Sequence, residues 1–125
     1  MAIRTELNVR LANTPGALAA LCRLLGDERV DIVALMLESG GQLRLVVNNH
    51  VRGAAVLREH HHQVAERQVL ATDVPNEPGA IAPVLELLAG AGVNVDYAYS
   101  GAAGSQATVI VGLPDAMRAA AAAGL

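Results

Sequence analysis

Apolar and polar positions alternate from Thr5 to Leu11, with Leu7, Val9 and Leu11 on one face and Glu6, Asn8 and Arg10 on the other. A period of two is that of a half-buried strand. After a short turn the period changes, and Leu18, Leu21, Cys22 and Leu25 fall at i, i+3, i+4 and i+7, as on one face of a helix. The succession returns further on, with Leu70, Thr72 and Val74 alternating and Ile81, Val84, Leu85 and Leu88 at helical spacing. Thr14 is placed to cap the first helix, and Pro15 suits its first turn, where a missing N–H costs nothing. Gly26 and the run Gly90-Ala91-Gly92 are expected to end the two helices.

Second strands are predicted over 30–37 and 93–100, and glycine-bearing turns at Gly40-Gly41 and Gly101 to Gly104 lead into third strands over 43–47 and 107–112. Second helices are expected over 50–61 and 114–123, the latter with Pro114 at its start, and a fourth strand over 64–68. The order strand, helix, strand, strand, helix, strand predicts an α+β fold. It consists of two ferredoxin-like βαββαβ modules, residues 1–68 and 69–125, each an antiparallel sheet with helices on one face. The second module lacks its last strand. Its open sheet edge is expected to pair with another chain or with the fourth strand of the first module, and a sequence continuing past Leu125 would account for it equally well. Val33, Leu35 and Leu37 are predicted to form an outward apolar row opposite Val30 and Ile32, to be covered by another sheet or subunit.

The strand-to-helix turns carry the clearest repeat. Asn13-Thr14-Pro15-Gly16-Ala17-Leu18 returns 63 residues later as Asn76-Glu77-Pro78-Gly79-Ala80-Ile81. The same offset aligns Leu24-Leu25 with Leu87-Leu88 and Val30-Asp31-Ile32 with Val93-Asn94-Val95, and over residues 13–33 eight of twenty-one positions are identical. Such self-similarity marks duplication of one supersecondary unit, so each reading of a site can be checked on the other copy.

Composition narrows the classes. Units of roughly 60 residues lie near the lower limit for folding alone, so the halves are expected to pack together or dimerise. Without Phe or Trp the core must be aliphatic. The longest uncharged stretch, residues 97–114, holds serines, a threonine and three glycines, so no membrane span is expected. No signal peptide is apparent, and the single Cys22 excludes an intrachain disulfide framework; together these point to a cytoplasmic protein. A net charge of −3 without Lys/Arg clusters argues against nucleic acid.

A turn between strand and helix presents the first free helical N–H groups, which attract a carboxylate. Glycine at 16 and 79 allows close approach to the backbone, and the Asn13 and Asn76 amides can accept from an ammonium or donate to a carboxylate. Together they suit a free α-amino acid, although a plain turn would use the same residues. A strand, Asn-x-Pro-Gly-Ala-Leu, an amphipathic helix, then Val-Asp-Ile or Val-Asn-Val resembles the ACT domain family over nearly the whole chain, twice. The resemblance implies small regulatory modules that bind amino acids, often between two modules, either attached to metabolic enzymes or standing alone.

Carried over by position, ligand contacts would fall on Asn13, Thr14, Pro15, Gly16, Ala17 and Leu18, and on Asn76, Glu77, Pro78, Gly79, Ala80 and Ile81. They would also fall on the second strands at Asp31, Ile32, Asn94 and Val95. Glu77 would compete with a ligand carboxylate, which makes the Asn13 turn the preferred site. Tyr97 and Tyr99 are assigned to the core on the strand face of Val93 and Val95, with a ligand role for Tyr97 as the alternative. In the first copy Ala34 and Met36 hold the equivalent positions.

The run Glu59-His60-His61-His62 reads as a solvated helix end, because successive helical side chains diverge by about 100° and do not converge on a metal. Cys22 reads as an inert core thiol. Gly90-Ala91-Gly92 ends a helix instead of opening one and so is no dinucleotide loop. No nucleophile elbow, zinc spacing or phosphate loop is present, and nothing recommends a constellation of Ser100, His50 and Asp31. The expectation is a non-catalytic, cofactor-free and metal-free sensor of a free amino acid, forming a homodimer. The alternatives are a regulatory subunit for an amino-acid metabolic enzyme, for instance in the branched-chain pathway, and a ligand-free assembly module.

Overall fold

The computed structural model describes residues 1–124. The chain forms two compact units, one of Thr5–Arg67 and one of Met1–Arg4 with the described residues from Gln68 onward. Six strands and four helices make them up, each unit an α+β arrangement of antiparallel strands and two helices.

The first unit runs β1 (Ala2–Arg10), α1 (Ala17–Asp27), β2 (Ile32–Leu37), β3 (Gln42–Val47), α2 (His50–Glu59) and the start of β4 (Val64–Pro75). Its strand order is β2-β3-β1-β4. Leu7 faces Leu45 and Val9 faces Leu43 across β1 and β3. These four leucine and valine side chains meet Leu21 and Leu25 of α1 and Val56 and Leu57 of α2 in one aliphatic core. Each fully buried leucine contributes roughly 1.5–3 kcal/mol relative to exposure. That is how a core without aromatic rings holds a unit this small.

The second unit contains the rest of β4, then α3 (Ala82–Gly90), β5 (Tyr97–Ala103), β6 (Gln106–Gly112) and α4 (Ala116–Ala122). Leu70 and Val74 of β4, Val109 and Val111 of β6, and Val84 and Leu88 of α3 build its core with the alanines of α4. No strand follows α4 among the described residues, and the start of β1, the neighbour of β4, belongs to this unit.

The two second helices start on side-chain caps. Asn49 accepts from the Arg52 N–H and Asp115 from the Arg118 N–H, each worth about 1 kcal/mol. The cap therefore falls one residue past Pro114, which precedes the helix instead of opening it. The strand predicted over 64–68 and the alternation at Leu70 to Val74 are one continuous strand, β4, because no turn residue separates them. Residues 93–96, expected as strand, are a connection; β5 begins only at Tyr97, where pairing with Gly112 starts.

That break in the strand also shifts the face of the tyrosines. Tyr97 pairs with Gly112 and Tyr99 with Ile110, whereas the core is lined by the alternate residues Ala107, Val109 and Val111. Tyr97 and Tyr99 thus lie on the sheet face opposite the core, their rings stacked with centroids 6.3 Å apart, while Val93 and Val95 pack against the core. The parity carried from Val95 to Tyr97 fails because Asp96 is a bend.

A register irregularity between Ile32 and Ala34 likewise alters the predicted outward row. Leu35 pairs with Leu45 and Leu37 with Leu43, so both point to the core side of the sheet. They nevertheless remain 39% and 41% exposed. The reason is position: β2 has a strand neighbour on one side only.

Candidate functional site

Pro15 and Gly16 do not start the first helix but form a type II turn. Ala17 N–H donates to Thr14 O at 3.3 Å, and Gly16 has φ 85° and ψ −7°. Proline supplies the fixed φ of the first central position and glycine the positive φ of the second. The same turn recurs at Glu77 to Ala80, with Ala80 N–H on Glu77 O at 3.2 Å and Gly79 at φ 81°. Helix α1 accordingly begins at Ala17, capped by Gly16 with no side-chain hydrogen bond. Thr14 contributes its carbonyl to the turn instead of a cap. The first intrahelical bond is Ala20 N–H to Gly16 O at 2.9 Å, so the N–H groups of Leu18 and Ala19 have no acceptor among the described residues.

These groups open onto a cavity of about 540 Å³ lined by Leu11, Ala12, Asn13, Thr14, Gly16, Ala17, Leu18, Ala19, Leu37, Glu38, Ser39 and Gly41. The volume lies within the roughly 300–1,000 Å³ of small-molecule sites. Its walls come from the exit of β1, the Pro-Gly turn, the first turn of α1 and the β2–β3 hairpin. Leu11 N–H donates to Gly41 O at 2.7 Å and Arg10 Nη1 to Gly40 O at 3.0 Å, tying that hairpin to the exit of β1. Gly41 sits at φ 86°, and a Cβ there would lie 2.5 Å from Leu11 O, so the approach requires glycine.

The site is electrically two-ended. The helix N-terminus carries partial positive charge, and Glu38 is the one charged lining residue. Its carboxylate Oε1 lies 3.5 Å from Arg44 Nε. The Asn13 amide is exposed and makes no hydrogen bond among the described residues.

Of the residues expected at a ligand in the first copy, Asn13, Thr14, Gly16, Ala17 and Leu18 line the cavity, and Pro15 shapes their turn. Asp31 and Ile32 do not line it. They stand at the opposite end of β2, roughly 20 Å along the strand from Leu37. There Asp31 N–H donates to Asn48 Oδ1 at 2.9 Å and Asp31 O accepts from Asn48 N–H at 3.0 Å. Leu37, Glu38, Ser39 and Gly41 were not expected at the site. Only the directions of the strands bring them in: β1 and β2 both pair antiparallel to β3, so they run parallel and end at the same side.

In the second copy the same turn is used differently. The Asn76 amide donates to Gly104 O at 3.0 Å and Asn76 N–H to Ser105 O at 2.9 Å, so this asparagine fastens the β5–β6 hairpin. Helix α3 begins at Ala82, and Pro83 in its first turn takes the place of Ala20, removing one N–H donor. Ala80 and Ile81 pack against the core, Glu77 and Asn94 are exposed, and Val95 packs inward from the connection before β5. Tyr97 lies on the other face of the sheet, against Gly112.

Among the described residues no group of three His, Cys, Asp or Glu side chains converges as metal ligands, and no helix is long and apolar enough to cross a membrane. His60 Nδ1 is 3.0 Å from Val56 O at the end of α2. Cys22 is half-buried, and burial pushes its thiol above the usual range, away from the reactive thiolate.

The repeated strand–turn–helix unit, with its paired hairpins, matches the family model described as an ACT domain pair over residues 1–122. The chain belongs to the ACT domain pair family. This ACT pair is similar to the crystal structure of protein BT0572 from Bacteroides thetaiotaomicron, with 28% identity, a TM-score of 0.85, and coverage of 96% of this chain and 85% of that one. It shares its fold with the ligand-free regulatory subunit of aspartate kinase from Thermus thermophilus, at 14% identity and a TM-score of 0.69, covering 98% and 92% of the two chains. It also shares the fold of part of E. coli aspartokinase III, solved in complex with lysine and aspartate. There the identity is 16%, the TM-score 0.58, and coverage 94% of the ACT pair and 30% of the kinase chain. No curated protein sequence matches the ACT pair.

Proposed function

We propose that this ACT pair is a non-catalytic regulatory protein that binds one free α-amino acid in the cavity at the Asn13 turn. One observation carries the reading: a single cavity of about 540 Å³ offers unpaired helical N–H groups and the Asn13 amide for a carboxylate, and the Glu38 carboxylate for an ammonium. Those are the two constant groups of every α-amino acid. The fold likeness to a regulatory subunit of aspartate kinase supports a regulatory role, with a separate catalytic chain of amino-acid metabolism as the partner.

The mechanism follows from linkage. A ligand that bridges the β1 exit, the α1 start and the β2–β3 hairpin favours the arrangement in which all three approach, and stabilises it by its differential affinity. A thermal-shift screen against the twenty amino acids tests this, since a ligand bound only by the folded state raises the melting temperature. A hit that Asn13→Ala abolishes supports the proposal. No hit at millimolar concentration, or turnover of an amino acid by the purified protein, overturns it.

A second reading, homodimer assembly, is favoured by β2. Its sequence, Ile32 to Leu37, carries no charge, proline or glycine, and Val33, Leu35 and Leu37 are each 38–41% exposed. Edge strands of solitary proteins usually carry such protective residues. Light scattering of the wild type and Leu35→Lys tests it: a dimer turned monomer supports assembly through this strand, and a monomeric wild type removes the reading.

A further inference from the structure

We infer that the amino acid held in the Asn13 cavity has an aliphatic, uncharged side chain, and that Glu38 receives its α-ammonium; this rests on the amino-acid reading proposed above. Away from Glu38 the walls that a ligand side chain would meet are Leu11, Leu18 and Leu37, with alanines 12, 17 and 19 between them. Leu37 is 41% exposed on the core side of its strand, an apolar surface with room for a ligand to cover it. Burial of aliphatic against aliphatic surface is favourable without directional partners.

The lining also disfavours charged and aromatic side chains. No Lys, Arg or His lines the cavity, so an acidic side chain would lose its hydration with no cation to replace it. No aromatic ring lines it, so an aromatic side chain has no stacking partner. A basic side chain would bring a second cation to a single carboxylate. Arg44 Nε engages Oε1 of Glu38 at 3.5 Å, which leaves Oε2 as the acceptor for one ammonium.

The second copy bears on the same point. At the 63-residue offset Ser100 stands for Leu37 and Gly101 for Glu38, so the Leu37 side of the apolar wall and the acid belong to the first copy alone. Where the Asn76 amide is spent on its own hairpin, the ammonium acceptor is missing as well.

Calorimetric titration of the whole protein with L-leucine, L-valine, L-lysine and L-aspartate tests the inference, with 4-methylpentanoate as the leucine analogue lacking an ammonium. Leucine or valine is expected to bind at least about tenfold tighter than lysine or aspartate, as desolvating an unmatched charge demands. Glu38→Gln is expected to weaken leucine by about tenfold or more, the size of one charge-assisted hydrogen bond, and to leave 4-methylpentanoate unchanged. Leu37→Asn should weaken both. The two side chains are about half-exposed, so the variants should fold, which circular dichroism verifies. Tighter binding of lysine or aspartate overturns the aliphatic class and leaves the amino-acid reading standing. Leucine binding indifferent to both substitutions overturns the assignment of these walls. No binding of any amino acid overturns the inference together with the reading beneath it.

Discussion

Arg29 and Gly92 stand 63 residues apart in sequence and hold the same left-handed conformation, with φ of 58° and 73°, two residues beyond the ends of equivalent helices. In both, the following N–H reaches back to close the helix: Val30 to Leu25 O and Val93 to Leu88 O, each at 2.9 Å. Glycine is at ease in this position and a Cβ-bearing residue is not. Gly26, the residue expected to end α1, lies within the helix, and Arg29 closes it instead.

Replacing Arg29 with glycine should therefore stabilise the first unit by roughly 0.5–1 kcal/mol, the left-handed strain relieved less the added chain entropy. Gly92→Arg should cost the second unit about 1–2 kcal/mol. Urea unfolding of the two variants beside wild type measures both, and a destabilised Arg29→Gly would contradict the account.

Tyr97 lies across Gly112, where a Cβ would meet its ring at 2.2 Å. Gly112→Ala must push the ring aside and disturb its stacking on Tyr99, at a cost of about 1–3 kcal/mol typical of overpacking. In the background of Tyr97→Ala the same substitution should be nearly neutral. The double-mutant cycle in thermal or urea unfolding reads that coupling directly.

Much of the fold was legible because the periods were clean. Leu7, Val9 and Leu11 announce a strand, Leu21 and Leu25 a helix face, and the second copy repeats both patterns. What failed were features set by one residue's conformation. The bend at Asp96 broke the parity that put the tyrosines in the core, and the irregularity at Val33 turned Leu35 and Leu37 to the other face. Asn13 to Leu18 could be picked out as a candidate site from the repeated turn. Glu38 and Leu37 could not, because their place beside that turn depends on strand direction and pairing.

The two asparagines of the repeat should separate cleanly on mutation. Asn76→Ala removes the amide bond to Gly104 O and should cost roughly 0.5–1.5 kcal/mol of stability without changing ligand affinity. Asn13→Ala removes no hydrogen bond among the described residues and should leave stability within about 0.5 kcal/mol while weakening the ligand. Unfolding curves and calorimetry on both variants test the pair, and a calorimetric stoichiometry of one ligand per chain is expected alongside.

The most direct test of the amino-acid site is an amide-resolved NMR titration of the whole protein with the amino acid that stabilises it most. The resonances of Gly16, Leu18, Ala19 and Glu38 should move together and saturate, while those of Gly79, Ile81 and Gly101 stay in place. Saturating shifts confined to the second repeat, or none at millimolar ligand, would contradict a ligand site at the Asn13 turn.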